Sequence, residues 1–440
     1  MKIQFHKGIK AYEMMDYVER LAAWGPRHST SENERKAISY IEEKLKATNT
    51  LKVSLQETRP IVNWKEIDSR LRVAKPIEEE LVCSAILGCS ATPSEGVTAN
   101  LVYGGRGFPE DYKGLNLANS IIIHDPPHAR TLDNRCGRGQ PQRDLERVYQ
   151  EGVKGLIEYA RLPGRFIQGP LLAGRDGLLI PAVSVTYEGG LFLKELLHEW
   201  YAVPDGITAH DKIPVQLWMK VDTVTKMATS YNVIATREGH ALPQEKVLLV
   251  AHHDNAFGPG ANDNAAATAV LLEVAKLISS LPQPKRTIEF ASVTGEEYGQ
   301  AGSNDYVEIC KNIVENIKGC IVLDLIGSGD KYYYITKSLF EGEIVENSEW
   351  LNSTIEEVTR SLGFSIEPTV LEFASDDGPF IRAGVPTSYI CRCISKSWPW
   401  LHTNEDKPDI VDPNALKIIS EICTNTLLIL ANTDNDLDIK

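Results

Sequence analysis

Five stretches in the second half of the chain hold side chains able to bind a metal ion. They are His252-His253-Asp254, Gly258-Pro259-Gly260-Ala261-Asn262-Asp263-Asn264, Thr294-Gly295-Glu296-Glu297, Asp324, and His402-Thr403-Asn404-Glu405-Asp406. Taken singly, each has an ordinary reading: a His-x-Asp triplet is usually surface loop, an Asp ahead of a helix is usually an N-cap, and adjacent glutamates are usually a solvated pair. Asp324 differs, because it interrupts the apolar run Cys320–Leu325. A carboxylate buried there needs a cation or strong donors. As a set, two histidines and three acid positions at successive strand ends are the ligands that zinc accepts. Asp254 beside His252 and Asp406 beside His402 stand where a metal-bound histidine gives its second N–H.

The elements that must position these residues follow from periodicity. Val247–Ala251, Thr287–Val293 and Cys320–Leu325 read as buried strands, and Ala265–Ser280, Thr354–Leu362 and Leu416–Leu430 as helices. Alternation of this kind predicts an α/β fold, a mixed, mostly parallel sheet flanked by helices. Ligands in such sheets gather beyond the carboxyl ends of the strands, where the candidate residues lie. Near the start, Ile9, Met14, Tyr17, Val18 and Leu21 mark a helix that Gly25-Pro26 ends. Ser31 with Glu34 is a capping-box pair for a second helix burying Ala37, Ile38, Ile41 and Leu45. Between about residues 59 and 222 the texture turns to short β-rich runs: Leu101–Tyr103, Ser120–His124, Gly155–Tyr159 and Ala182–Val185. Gly and Pro separate them, and helix signals appear at Leu145–Gln150 and Gly190–Glu199. His124–Arg147, rich in Pro, Arg and Gly, reads as a long loop.

With 440 residues the chain exceeds one compact core. Its 42% hydrophobic and 24% charged content is that of a globular protein. The net charge of −14 argues against nucleic acid and anionic membrane as partners. Met1–Tyr17 has no signal-peptide core, and no apolar run is expected to cross a bilayer. The eight cysteines lack framework spacing, so free thiols and a cytoplasmic location are expected.

The stretch His252–Asp406 resembles the dizinc aminopeptidases and glutamate carboxypeptidases. The family's His-x-Asp segment is similar to His252–Asp254 and its Gly-x-Asn-Asp-Asn segment to Gly260–Asn264. Its Glu-Glu pair matches Glu296-Glu297, its strand Asp matches Asp324, and its His-Thr-x-x-Asp matches His402 to Asp406. Gly25-Pro26-Arg27 looks like the family's usual start. Val97–Gly114, Val153–Tyr159 and Ile180–Tyr187 resemble the protease-associated domain that some members insert. The resemblance implies a zinc exopeptidase fold from residues 1–60 and 223–440, with an inserted β-rich protease-associated-like domain at 61–222. It implies two zinc ions: Asp263 bridges them, His252 and Asp324 complete one, Glu297 and His402 the other, and Asp254 and Asp406 support the histidines. Glu296, beside the ligands but not one of them, is then the catalytic base.

The chain departs from that pattern in three places. Ser375-Asp376-Asp377 stands where the family often has Ser-Asp-His, the oxyanion-stabilising tyrosine of some members has no match beyond a candidate in Tyr389, and no arginine patch follows Gly384-Val385-Pro386. Glutamate-selective carboxypeptidases carry such a patch. The expected activity is therefore an aminopeptidase on peptide substrates, set against a carboxypeptidase for acidic C-termini and a non-catalytic receptor-like homologue. Glu296 and Glu372 are expected to favour a protonated α-amine. The inserted region is expected to stand beside the active-site mouth and restrict substrate size.

Overall fold

The structure is a computed structural model describing residues 9–126, 148–164, 167, 169, 174–201, 214–341, 343–371, 373–392 and 400–433. The first helix, Ala11–Ala22, buries Met14, Val18 and Leu21, one per turn. In the second, Glu32–Lys46, the Ser31 hydroxyl accepts from the Glu34 N–H at 3.1 Å. Only half of the capping box forms. The Glu34 carboxylate turns inward, fully buried, and accepts from Thr30 N–H and the Ser230 and Thr294 hydroxyls.

A nine-stranded sheet forms the larger layer. At its centre four strands run parallel in the order Arg286–Val293, Leu242–His252, Ile317–Leu323, Thr387–Cys391. Outside this centre most of the added strands run antiparallel, which makes the sheet mixed. Tyr231–Arg237 and then Lys52–Glu57 add antiparallel on one side. Tyr333–Phe340 adds antiparallel on the other, carrying Glu343–Glu346 antiparallel and Glu367–Val370 parallel.

Both faces are covered, which the strand Val247–Ala251 records residue by residue. Val247, Leu249 and Ala251 join the core under the helices Ala11–Ala22, Ala266–Ser279 and Pro413–Asn432. Leu248 and Val250 join the opposite core with Val322 and Tyr389. Burial on both sides explains why this strand reads as a continuous apolar run rather than an alternating one. Each buried Val or Leu of this strand contributes about 1.5–3 kcal/mol. Pro413–Asn432 is long and apolar enough for a bilayer by length and composition, contrary to the sequence expectation. In this fold 72% of its apolar window is buried as a core helix.

The second sheet has eight strands in the order Glu79–Leu81, Ile61–Lys75, Gln216–Ala228, Val97–Tyr103, Ser120–Ile123, Gly155–Tyr159, Ala182–Val185, Cys83–Ala85. Its two long strands pair antiparallel from Ile61 opposite Ala228 to Lys75 opposite Gln216, so the chain leaves and rejoins the larger sheet side by side. The helix Tyr187–Tyr201 contributes Leu193, Leu196 and Leu197 to the core of this layer. Most of His124–Arg147 lies outside the described residues, and with it the first half of the helix signal Leu145–Gln150, whose residues 148–150 are helical. The six cysteines among the described residues are free thiols.

Candidate metal centre

Parallel strands end on the same edge, and the candidate ligands collect there. His252 is the last residue of its strand. Glu296 and Glu297 open a single turn after Arg286–Val293, reached through Gly295 at φ +72°. Asp324 is not inside a strand as the apolar run suggested; it is the first residue beyond Ile317–Leu323. His402 follows Thr387–Cys391, with φ +54°. Asp263 comes from the turn between His252 and the helix Ala266–Ser279.

Asp263 stands in the middle. Its Oδ1 lies 3.4 Å from His252 Nε2, and its Oδ2 lies 3.2 Å from His402 Nε2. On the first side Asp324 Oδ1 is also 3.4 Å from His252 Nε2. On the second, Glu297 Oε2 is 3.5 Å from His402 Nε2. Two groups of three side chains thus share one carboxylate, a different oxygen facing each. His252, Asp263 and Glu297 also offer atoms within 4.8 Å of one another across the two groups.

The remaining polar atoms of these residues are anchored away from that space. His252 Nδ1 is 3.1 Å from the Asp254 carbonyl, fixing the ring so that Nε2 faces inward. Glu297 Oε1 accepts from Ala256 N–H at 2.8 Å. Asp324 Oδ2 lies 3.5 Å from the Tyr389 hydroxyl. His252 Nε2, Glu297 Oε2 and Asp324 Oδ1 are left buried with no hydrogen-bond partner. Buried acceptors without donors are costly, and a bound divalent cation would satisfy them. The residues therefore fit a metal.

Charge makes the same point. Asp254, Asp263, Glu296, Glu297, Asp324, Asp376 and Asp406 are all buried here, with the Arg27 guanidinium among them. Burial, together with Asp324 and Asp376, pushes the Glu296 carboxyl well above its ordinary range against the pull of His252. Burial, then Asp263 and Glu296, does the same for Glu297. Asp376, Asp377 and Asp406 are each pushed up to about 7 by burial. So many carboxylates can all ionise only beside added positive charge.

The outer residues only partly follow the sequence reading. Asp254 lies 3.5 Å from His252 Nδ1, farther than its own carbonyl, and its carboxylate accepts from Ser29 Oγ at 2.9 Å and Glu296 N–H at 3.3 Å. It ties the Glu296 segment to the strand that ends at His252. Asp406, expected to orient His402, grips the turn that carries Asp263 instead: Oδ1 accepts from Asn262 N–H at 2.8 Å and Oδ2 from Asp263 N–H at 3.0 Å. Tyr389 is fully buried behind Asp324, away from any open face, and backs that carboxylate. Glu372 lies outside the described residues.

Sequence reasoning assigned no role to Arg27, which is fully buried. It donates to the carbonyls of His253, Leu21, Pro259 and Gly260, holding the turn before Asp263. Burial pulls the guanidinium down to about 10, so it stays charged at neutral pH. The one signal was its place in Gly25-Pro26-Arg27, since an arginine needs its partners located before it can be read as internal. Gly169, in the connection between the strands Gly155–Tyr159 and Ala182–Val185, also reaches the site, its N–H donating to the His402 carbonyl at 2.8 Å.

Comparison with known proteins places this geometry. Residues 232–427 match the model of Peptidase family M28. Carboxypeptidase Q of Xenopus laevis is 24% identical over 433 residues, 95% of this chain and 86% of that protein. An aminopeptidase of Pseudomonas aeruginosa is 34% identical over 218 residues, 48% of this chain and 39% of its own length. BSAP, a zinc aminopeptidase from Bacillus subtilis, superposes with a TM-score of 0.73 at 22% identity, covering 98% of this chain and 97% of that one. A Peptidase M28 precursor from Shewanella amazonensis gives 0.77 at 23%, covering 96% and 94%. Both layers of the fold are thus shared with solved proteins. All the candidate ligands fall inside residues 232–427, the segment that matches Peptidase family M28, and the site is that of a metallopeptidase.

Proposed function

We propose that the chain is a two-zinc aminopeptidase that removes N-terminal residues from peptides. The observation that carries this reading is Asp263, whose two oxygens face His252 and His402 separately. In this reading one zinc is held by His252, Asp263 and Asp324, the other by His402, Asp263 and Glu297. Bound zinc supplies Lewis acidity and lowers the pKa of a water to about 7. Glu296 takes the proton from the attacking water and passes it to the leaving amine. Asp254, through the Glu296 N–H, holds that base beside the ligands. Residues 61–222 are read as an inserted protease-associated-like domain bordering the site, a role supported by the Gly169–His402 contact.

Charge supports the aminopeptidase side. Glu296 and Asp376 favour a protonated α-amine. Among the described residues, the arginines nearest in sequence to the site segments are engaged elsewhere. Arg27 spends its donors on carbonyls, Arg382 pairs with Glu341, and Arg392 meets Asp412 at 3.3 Å and lies over Tyr332. A carboxypeptidase is the second reading, favoured by the alignment with Carboxypeptidase Q along nearly the whole chain. The test compares aminoacyl-p-nitroanilides with their N-acetylated forms and with N-acyl dipeptides ending in glutamate. The aminopeptidase reading expects turnover only of substrates with a free amine; faster cleavage of the acylated dipeptides overturns it.

A further inference from the structure

Gln300 makes a contact that the scheme above does not use. Its Nε2 lies 3.1 Å from Glu296 Oε1 and 3.3 Å from the Ala374 carbonyl. Both neighbours accept, so the amide must present its two N–H groups and not its oxygen. Gln300 also sits in the left-handed region, at φ +52° and ψ +39°. Glycine occupies that region freely and a residue with a Cβ does not. The backbone position therefore gains nothing from glutamine, and what the residue supplies is its side chain. That side chain bridges Glu296 to the segment leading into Ser375-Asp376, which is itself pinned by Ser303 Oγ on Asp376 Oδ1 at 2.5 Å.

Resting on the reading of Glu296 as the base, we propose that Gln300 is its positioning residue. One carboxylate oxygen, Oε1, is fixed by the Gln300 amide. The Glu296 backbone is fixed by Asp254. The rotation left to the carboxylate is thereby restricted, and Oε2 is presented to the water whose proton it takes. Restricting rotation matters because a general base must lie within hydrogen-bond reach of its proton. The Gln300 amide meets Glu296 and the Ala374 carbonyl, and it acts through Glu296.

Three variants test this. Gln300→Met keeps the chain length and loses the donor; Gln300→Gly loses the donor but relieves the backbone; Gln300→Lys restores a donor of similar reach. The Met and Gly variants are expected to lose about tenfold to a hundredfold in kcat. KM and the zinc content by elemental analysis should not change, the Gly variant should melt no lower than the parent, and Lys should recover much of the loss. A crystal structure of Gln300→Met should show the Glu296 carboxylate rotated. Unchanged kcat in both Met and Gly variants, or a loss that follows departing metal, overturns the assignment. The double variant Glu296→Gln, Gln300→Met separates the two readings. If Gln300 acts through Glu296, the second change adds nothing; a further loss of the same size overturns the positioning role and leaves the base standing. Normal turnover in Glu296→Gln alone removes the base reading itself.

Discussion

Asp406→Asn separates the two roles that this acid was given. The sequence placed it behind His402; the structure places both of its oxygens on the amides of Asn262 and Asp263, at 2.8 and 3.0 Å. It is 1% exposed, so water cannot replace what it loses. Asparagine keeps the shape but has one acceptor oxygen, and its NH2 must face the other N–H. Losing one charge-assisted hydrogen bond and stranding a buried N–H costs about 3 kcal/mol. If that cost falls wholly on the metal-bound form, it is about a hundredfold in zinc affinity. Because Asp263 is shared, both ions should weaken together. Competition with a chromophoric chelator, read as two successive dissociation constants, measures this. Both should rise by similar factors. Weakening of a single ion would return Asp406 to the histidine and refute the reasoning, and so would unchanged affinity at both.

Other consequences are as direct. Glu296→Gln should keep its zinc while kcat falls by about a hundredfold to ten-thousandfold; loss of metal together with activity would mean that Glu296 and Glu297 exchange roles. The metal-free protein should lose stability with rising pH. Asp376, Asp377 and Asp406 have folded pKa values raised to about 7 from an ordinary 3.8. Their contribution is therefore complete below about pH 4 and lost as pH rises through 7. Scanning calorimetry after chelation should give a lower Tm at pH 8 than at pH 5, with zinc restoring it at pH 8. A Tm that rises over this range would contradict the burial argument.

Much of the peptidase layer was legible because its central strands are buried on both faces. Val247–Ala251, Thr287–Val293 and Cys320–Leu325 announce themselves as apolar runs, and the ligands mark where they stop. The long strands Ile61–Lys75 and Gln216–Ala228 escaped notice for the opposite reason. Much of each is exposed or half-buried, and their pairing joins residues far apart in sequence, which no local pattern encodes. Spacing misled at Asp406 for a similar cause. Four residues from His402 suggested a neighbour, but the segment Thr403–Asp406 turns back toward Asn262, where Asp406 also accepts from Ala261 N–H through its carbonyl. Tyr389 could be named from sequence and not placed, since its register opposite Val322 puts it under Asp324. Gln300 carried no signal of its own and Arg27 only its place after Gly25-Pro26, because amide and guanidinium groups gain meaning only from the acceptors that the fold brings to them.

The central claim is that one carboxylate joins two metal sites. Crystals of the zinc-loaded protein, measured on both sides of the zinc absorption edge, test it most directly. Two anomalous peaks are expected, one among His252, Asp263 and Asp324 and one among His402, Asp263 and Glu297. A single peak, or two that do not share Asp263, would contradict the account.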